Sequence, residues 1–403
     1  MKNKAFQNKF HYVWISFITI FIFVTIDNVI SPLIMPLHHF YNVPMPEILK
    51  LLSSCNLGIV IGTFLGPIIL QHLKIFYTYL LAIVTFSLFL LLFVFIKNFN
   101  IALGVRFFLG ISSGLFASCY WWLTFDEEKL SHNKDAMISV LLSARPLAIS
   151  LGVPLLVAST IGIHWQLSFL LYGMILLLVN IPFICSIKGL ESTRSTSVSR
   201  NIFSDYATTL RAPNFYNYYF SLFLISIPYF GFYSLSGYWF LSLFNRSPIS
   251  LSAIFLCIGC GEVIATLCAP LLNKKYSSAT LFSAMSLIGI VSYTLFIFST
   301  TNLYLTLLGI FCFLISNRIY LFILTKKLPV IFPNHPNKAT LGSLSTLISW
   351  AGFAGISYLQ SQLLPIIDLP TIGLLMFTAL LLGLWNFYAK LSKFITSNIT
   401  SNY

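Results

Sequence analysis

Long apolar segments alternate with short polar ones along the whole sequence. An apolar segment of about 20 residues is long enough to cross the hydrocarbon core of a membrane as a helix. By this criterion the pattern predicts an all-α integral membrane protein with twelve transmembrane helices. The predicted spans are residues 12–36, 48–70, 75–96, 101–124, 136–161, 167–187, 214–239, 249–272, 278–298, 303–325, 339–363 and 371–389.

One polar connection is longer than the others and lies near the middle of the chain. Residues 188–213 are rich in Ser, Thr and Arg and separate the first six spans from the last six. We interpret residues 1–187 and 214–403 as two pseudo-symmetric six-helix bundles joined by this linker. A short repeat supports the division: GIVIGTFLGP at residues 58–67 and GEVIATLCAP at residues 261–270 share five of ten positions.

Composition and charge agree with a membrane location. Charged residues are 8% of the chain, whereas soluble proteins carry about 25%. The net charge of +13 does not indicate a nucleic-acid partner, because the basic residues are scattered over short loops. Seventeen of the 23 Lys and Arg residues lie on the N-terminal side of the predicted membrane and three on the other. The positive-inside rule then places both termini and the linker in the cytoplasm, and we expect a bacterial inner membrane.

Five ionisable side chains fall inside predicted spans. A charge at the centre of a membrane helix costs roughly 2.5–3.5 kcal/mol on insertion scales, so such residues usually face the interior of a bundle. The third, sixth, ninth and twelfth spans carry no charge of this kind. Because arginine suits carboxylate or phosphate, an excess of guanidinium groups makes an anionic or zwitterionic substrate an alternative to a cationic drug. The five residues are Asp27, Arg106, Arg145, Glu262 and Arg318.

Asp27 and Arg106 are both expected in the outer half of the membrane, on neighbouring helices. A carboxylate whose surroundings alternate between apolar and polar can bind a proton on one side and release it on the other. Asp27 is therefore a candidate for proton coupling. The alternative is a permanent structural pair between Asp27 and Arg106.

Glu262 has no counterpart in the first half of the repeat, where Ile59 occupies the aligned position. Shared packing therefore does not require a carboxylate there. We expect Glu262 to face a cavity and to interact with protons or a cationic substrate. The alternative is an ion pair with Arg318 or Arg145.

Four short motifs resemble those of the major facilitator superfamily, particularly its twelve-span drug/proton antiporters. They are TIDNVISPLIMPL from Thr25, LGVRFFLGISSG from Leu103, AISLGVPLL from Ala148 and HWQLSF from His164. The third is similar to the fifth-helix motif of exporters. In the loop after the second span, Gln71 stands where the family usually has an aspartate.

The resemblance implies a major facilitator fold and proton-coupled efflux of a small amphipathic molecule by alternating access. That molecule is of the multidrug type or a metabolite such as a carboxylate siderophore. The candidate residues are Asp27, Glu262 and Arg106 for proton coupling, Arg145, Arg318, Asn28 and Tyr233 for substrate binding, and Gly66, Lys74, Gly110, Gly152 and Pro154 for gating or packing.

Two alternatives remain at this point. The first is an uptake permease for an anionic or zwitterionic metabolite or siderophore. The second is an integral-membrane enzyme built around the polar stretch FDEEKLSHNKD at residues 125–135, which lacks the spacing of a zinc or nucleophile site. We expect no enzymatic activity, no cofactor and no metal, and a monomer whose partners are a small molecule, protons and the bilayer.

Overall fold

A computed structural model describes residues 2–125, 143–162, 164–187, 202–244, 248–332 and 338–396. The described residues are helices joined by short connections, with no β-strand among them. Most of the polar stretch at residues 125–135 and the start of the predicted fifth span lie outside the described residues. So does residue range 188–201, the first part of the predicted linker.

The described residues of the first half of the chain form seven helices. The sixth is helical from residue 143, contains a π-helical turn at Ala148–Gly152 and continues as an α-helix over Val153–Gly162. The others are α1 (Lys2–Asn28), α2 (Ile34–Tyr41), α3 (Met45–His72), α4 (Ile75–Phe95), α5 (Phe99–Phe125) and α7 (Trp165–Ile187), and the interrupted helix is α6.

The second half follows a short helix, α8 (Ile202–Leu210), which occupies part of the predicted linker. Tyr206 of α8 stacks on Phe64 of α3, with ring centroids 5.4 Å apart. The remaining helices are α9 (Phe215–Phe244), α10 (Pro248–Lys275), α11 (Ser278–Phe298), α12 (Leu303–Ile331), α13 (Lys338–Leu363) and α14 (Leu369–Thr396).

Within the described residues, nine helices are long and apolar enough to cross a membrane: α3 to α6, α9 to α12 and α14. Two shorter apolar helical segments, Trp14–Asn28 and Trp165–Ile181, belong to α1 and α7. The eleventh predicted span coincides with α13, a helix rich in Ser and Gln that does not meet the same criterion. The chain is therefore an α-helical membrane protein.

The predicted first span is interrupted. The α1 helix ends at Asn28, residues 29–33 form turns, and α2 begins at Ile34. Pro32 accounts for the break, because proline has no N–H to donate and disfavours helical geometry in the residue before it. Val29 and Leu33 still donate to carbonyls four residues back, but the N–H of Ile34 bonds to the Ser31 carbonyl only three residues back, at 3.3 Å.

A second irregularity lies in α6, at the positions predicted to matter for gating. The N–H of Val153 bonds to the carbonyl of Ala148, five residues back, just before Pro154. Proline inside a helix removes a hydrogen bond and collides with a preceding carbonyl, and a π-turn is one way to relieve that. Gly152 lies against Thr25 and Phe21 of α1, where a Cβ atom would collide with the Thr25 hydroxyl.

The packing partners in the first half recur in the second. The pairs α1–α6, α1–α7, α3–α5, α4–α5 and α4–α7 correspond to α9–α13, α9–α14, α10–α12, α11–α12 and α11–α14. The halves meet mainly through α3 with α13 and α6 with α10. We call the end of the helical array where α1 ends and α3 begins the distal end, and the opposite end the proximal end.

Glycines bring α3 and α5 into backbone contact. A Cβ on Gly58 would collide with the Phe107 carbonyl oxygen, and one on Gly110 would collide with the Cys55 carbonyl oxygen. Gly66 lies against the side chain of Ser118. Small residues at such contacts let membrane helices associate through dispersion and weak polar interactions. The predicted packing role of Gly66 and Gly110 fits these positions.

Lys74, the other residue predicted for gating, lies between α3 and α4 at the proximal end. Its carbonyl oxygen accepts hydrogen bonds from the backbone N–H groups of Tyr77 at 3.0 Å and Thr78 at 3.1 Å. Lys74 is therefore the N-cap residue of α4, and its backbone carbonyl accepts the first hydrogen bonds of that helix.

We expect Gly110→Ala to lower the stability of the folded protein. The added methyl group meets backbone atoms that cannot move independently, and overpacking of this kind costs roughly 1–3 kcal/mol. Gly104→Ala on the same helix is the control, because a Cβ there meets nothing within 4 Å. The measurement is the apparent melting temperature in detergent. Equal melting temperatures for the two variants would contradict the close helix contact.

Candidate functional site

The carboxyl group of Asp27 is buried in the last turn of α1, with 2% of the residue exposed. The Cys55 thiol on α3 donates a hydrogen bond to Asp27 Oδ1 at 3.3 Å. In the part of the chain that the structure describes, no Lys or Arg nitrogen lies within 4.0 Å of this carboxyl group. The basic side chains that interact with it electrostatically are Arg106 and Arg145. Asp27 is thus close to positive charge without forming an ion pair.

Arg106 on α5 is fully buried. Its Nη1 donates to the carbonyl oxygen of Ile26 at 3.5 Å, and its guanidinium carbon lies 5.5 Å from the centroid of the Phe93 ring. Nε and Nη2 are buried and have no hydrogen-bond partner among the residues that the structure describes. The permanent Asp27–Arg106 pair considered from the sequence is therefore absent at ion-pair distance, although the two residues are neighbours.

Glu262 on α10 is also fully buried, and it is held by four hydrogen bonds. Arg318 on α12 donates from Nε at 3.0 Å and Nη2 at 2.8 Å to Oε2. Tyr229 on α9 donates to Oε2 at 3.2 Å and Tyr233 to Oε1 at 2.7 Å. Charge-assisted hydrogen bonds of this kind are stronger than neutral ones. The ion pair with Arg318, the alternative drawn from the sequence, is present.

Tyr229 links this pair to the first half of the chain. The guanidinium carbons of Arg318 and of Arg145 each lie 5.4 Å from the centroid of the Tyr229 ring. Arg145 belongs to α6, and it also lies over Phe230 of α9 at 4.7 Å and Trp350 of α13 at 5.1 Å. A first-half guanidinium therefore lies among three aromatic rings of the second half.

The five charged side chains lie in two groups, Asp27 with Arg106 and Glu262 with Arg318, and Arg145 interacts with a residue of each side. We call these five side chains the charged cluster. Arg106 and Arg145 are electrostatic neighbours of Asp27, and Arg145 and Arg318 are electrostatic neighbours of Tyr229 beside Glu262. The sequence assigned these residues to five separate helices without showing that they meet. Their meeting point is the boundary between the two halves.

The other two residues predicted to bind substrate have different surroundings. Asn28 donates from Nδ2 to the Val24 carbonyl oxygen at 2.8 Å, which leaves Oδ1 buried without a partner. Tyr233 and Arg318 are both engaged with Glu262. Of the predicted substrate-binding residues, Arg145 has no such polar partner.

Polar contacts between the halves occur near Asp27, in the distal half of the helices. The Ser31 hydroxyl donates to the Ser234 carbonyl oxygen at 2.9 Å and accepts from the Gly237 N–H at 2.9 Å. It also lies 3.1 Å from the Ser236 hydroxyl. A Cβ on Gly237 would collide with the Ser31 carbonyl oxygen. We call these four residues the distal clasp.

Two further contacts join the halves in the same region. The Ser53 hydroxyl of α3 donates to the Ala354 carbonyl oxygen of α13 at 2.8 Å. A Cβ on Gly259 of α10 would collide with the backbone of Ser150 in the π-turn of α6. The irregular segments of α1 and α6 thus both contact the opposite half.

Several residues of this region could not be chosen from the sequence. Cys55 and Trp350 gave no signal, because neither is charged and each meets its charged neighbour from another helix. Ser31 and Gly237 are small residues of a type common throughout the chain. The structure also shows no group of three or more His, Cys, Asp or Glu side chains able to hold a metal among the residues it describes.

Comparison of the sequence with protein-family models and with curated proteins finds no match.

We expect Glu262 and Arg318 to be strongly coupled in stability. Glu262→Gln leaves a buried guanidinium without its counter-charge, and Arg318→Gln leaves a buried carboxylate. Breaking a buried pair on one side costs about 3–5 kcal/mol, whereas removing both charges costs less than the sum. Melting temperatures of the two single variants and the double variant test this. Additive losses in the double variant would contradict the pairing.

Proposed function

We propose that this chain is a secondary active transporter that exports a small molecule in exchange for protons. The observation that carries the proposal is the charged cluster at the boundary between the halves, in which Asp27, Arg106 and Glu262 are buried and Arg145 and Arg318 are partly exposed. Charged groups inside a membrane protein are costly, and they commonly mark pathways for substrates, ions or protons. A cluster that contacts both halves is affected by any movement of one half relative to the other.

The packing pattern supports a major facilitator arrangement. Five helix pairs of the first half have counterparts in the second, and the halves meet through α3 with α13 and α6 with α10. In many transporters the substrate site lies near the middle of the membrane, between two repeats that rock against each other. In this proposal α1–α7 and α9–α14 form those repeats, the protein acts as a monomer, and both termini lie in the cytoplasm of a bacterial inner membrane.

Asp27 is the residue that we assign to proton exchange. Glu262 would have to give up an ion pair and two tyrosine hydroxyls in order to change its protonation state. Asp27 has side-chain hydrogen-bond partners in Cys55 and Ser113, and its two positive neighbours are not bonded to it. A modest movement of Arg106 or Arg145 is enough to change its electrostatic surroundings.

The distal clasp links proton exchange at Asp27 to movement of the two halves. Ser31 lies four residues after Asp27, in the irregular segment between α1 and α2, and its hydroxyl bonds to α9 of the other half. Opening the distal end requires these hydrogen bonds to break. The release of Ser31 would then move the end of α1 that carries Asp27.

The direction of transport is proposed from α6. Its Gly152 and Pro154 resemble the fifth-helix motif of exporters, and the π-turn places Ser150 against Gly259 of α10. Export predicts that a substrate is depleted from cells that contain the protein. Uptake predicts the reverse, so one measurement distinguishes the two directions.

The test compares the small molecules retained by cells that express wild-type protein, Asp27→Asn or no protein. We expect at least one compound to be lower in wild-type cells and to return to the level of cells without the protein in Asp27→Asn. The reason is that an asparagine side chain does not bind or release a proton at physiological pH, although it has nearly the same size as aspartate. Untargeted mass spectrometry is the measurement.

Glu47→Gln is the matched control, because Glu47 pairs with Lys50 at the distal surface, away from the charged cluster. It should behave as wild type. Equal membrane levels of all variants must be shown on immunoblots. If no compound differs between wild-type cells and cells without the protein, or if Asp27→Asn matches wild type, the proposed proton-coupled export is refuted.

A further inference from the structure

The three buried guanidinium groups differ in what they bond. Arg318 gives Nε and Nη2 to Glu262. Arg106 is fully buried and bonds a backbone carbonyl oxygen through Nη1. Arg145 is partly exposed, and among the described residues it has neither a carboxylate within 4.0 Å nor a hydrogen-bond acceptor for Nε and Nη2. Arg145 is thus the one of the three that is partly exposed and, among the described residues, has no acceptor for Nε and Nη2.

The unpaired atoms of Arg145 form the edge of the guanidinium that recognises oxyanions. Nε–H and one Nη–H point in the same direction and match the two oxygens of a carboxylate. Arg318 shows this use within the same chain, because it presents Nε and Nη2 to a carboxylate oxygen of Glu262. On Arg145 the same two nitrogens are shielded from solvent and have no partner. Buried polar groups are ordinarily hydrogen-bonded, so this edge is suited to an acceptor from outside the chain.

The aromatic rings around Arg145 hold its guanidinium in place without satisfying it. Tyr229, Phe230 and Trp350 place their centroids 4.7–5.4 Å from the guanidinium carbon, within the range of cation–π attraction. None of the three rings supplies an oxyanion. The side chain is therefore oriented in advance, which lowers the entropy cost of binding a ligand.

An aromatic surface continues beside this group. Phe353 stacks on Phe230 with centroids 4.7 Å apart and on Trp350 with centroids 5.8 Å apart, at interplanar angles of 17° and 20°. Phe230 and Phe353 are buried, whereas Trp350 is partly exposed. Trp350 is therefore the ring of this stack on which a flat ligand ring can stack while an attached carboxylate reaches Arg145.

We propose that Arg145 and Trp350 form the recognition site for an organic anion in which a carboxylate is attached to a flat aromatic or conjugated ring. The proposal rests on the transport function above and narrows its substrate class, since it excludes an exclusively cationic cargo. Arg145 comes from the first half of the chain and Trp350 from the second, so one bound molecule contacts both. Asp27 is an electrostatic neighbour of Arg145, which places the bound anion close to the proposed proton site.

Four probes separate charge from shape. They are 2-naphthoate, the neutral 2-naphthamide, the cationic 2-naphthylmethylammonium ion and the non-aromatic cyclohexanecarboxylate. The measurement is the dissociation constant on purified full-length protein, obtained from the ligand-dependent rise in melting temperature. We expect 2-naphthoate to bind, cyclohexanecarboxylate to bind more weakly, and the amide and the cation not to bind.

Arg145→Gln should weaken 2-naphthoate about tenfold to a hundredfold, the loss expected for hydrogen bonds to a charged group. Arg145→Lys should fall between this variant and wild type, because it keeps the charge but loses the planar edge. Lys275→Gln is the control, since Lys275 lies 5.5 Å from the Tyr276 ring on the exposed surface and should not affect binding.

The proposal is overturned if 2-naphthoate at millimolar concentration does not stabilise wild-type protein, or if the amide or the cation binds equally well. Neither of these outcomes depends on a variant that folds. It is also overturned if Arg145→Gln and Arg145→Lys both bind 2-naphthoate as wild type does.

Failure of this proposal and failure of the transport function give different results. Arg145-dependent binding of 2-naphthoate, without proton-driven movement of any solute in reconstituted vesicles, supports the anion site and refutes transport. Asp27-dependent export that is unchanged in Arg145→Gln supports transport and refutes the anion site.

Discussion

The cost of keeping ionisable side chains within apolar helices governs this structure. Two charges, Glu262 and Arg318, are compensated within the second half by an ion pair and two tyrosine hydroxyls. The others are compensated less completely: Asp27 has only the Cys55 thiol and the Ser113 hydroxyl as side-chain donors in the described chain, where Arg106 and Arg145 each keep two nitrogens without an acceptor. The charges of the second half therefore have an ionic partner and several hydrogen bonds, whereas the charges of the first half have fewer partners. Protons or a charged ligand act most easily on the less compensated side.

The surrounding packing concentrates movement near these charges. Gly58 and Gly110 bring the backbones of α3 and α5 into contact, which favours movement of the two helices as a unit. The pattern of helical hydrogen bonds is irregular at the turns after Asn28 and at the π-turn that begins at Ala148. Asp27 immediately precedes the first irregularity and Arg145 lies shortly before the second. Both irregular segments contact the opposite half, so a shift between the halves reaches the two side chains directly.

Much of the helical pattern could be predicted from the sequence, because runs of apolar residues determine where a membrane helix can form. The positions of the five charges on their helices were also readable. The contacts among these charges could not be predicted. Contacts such as that between Arg145 and Trp350 depend on how the helices are oriented, and the sequence pattern does not show this orientation. The predicted first span ran through the break at Pro32 because the apolar residues continue on both sides of it. The proline alone was enough to predict an interruption of the helix.

In the transport cycle that we propose, the two halves rock about the charged cluster, so that the ends of the protein open alternately. Distances between spin labels test it most directly, with one pair at the distal end on Asn98 and Thr301 and one pair at the proximal end on Leu73 and Tyr276. All four positions are exposed and lie in connections between helices. Between alkaline and acidic buffer, the account predicts that one distance lengthens while the other shortens. Distances that stay constant, or that change in the same direction, would contradict it.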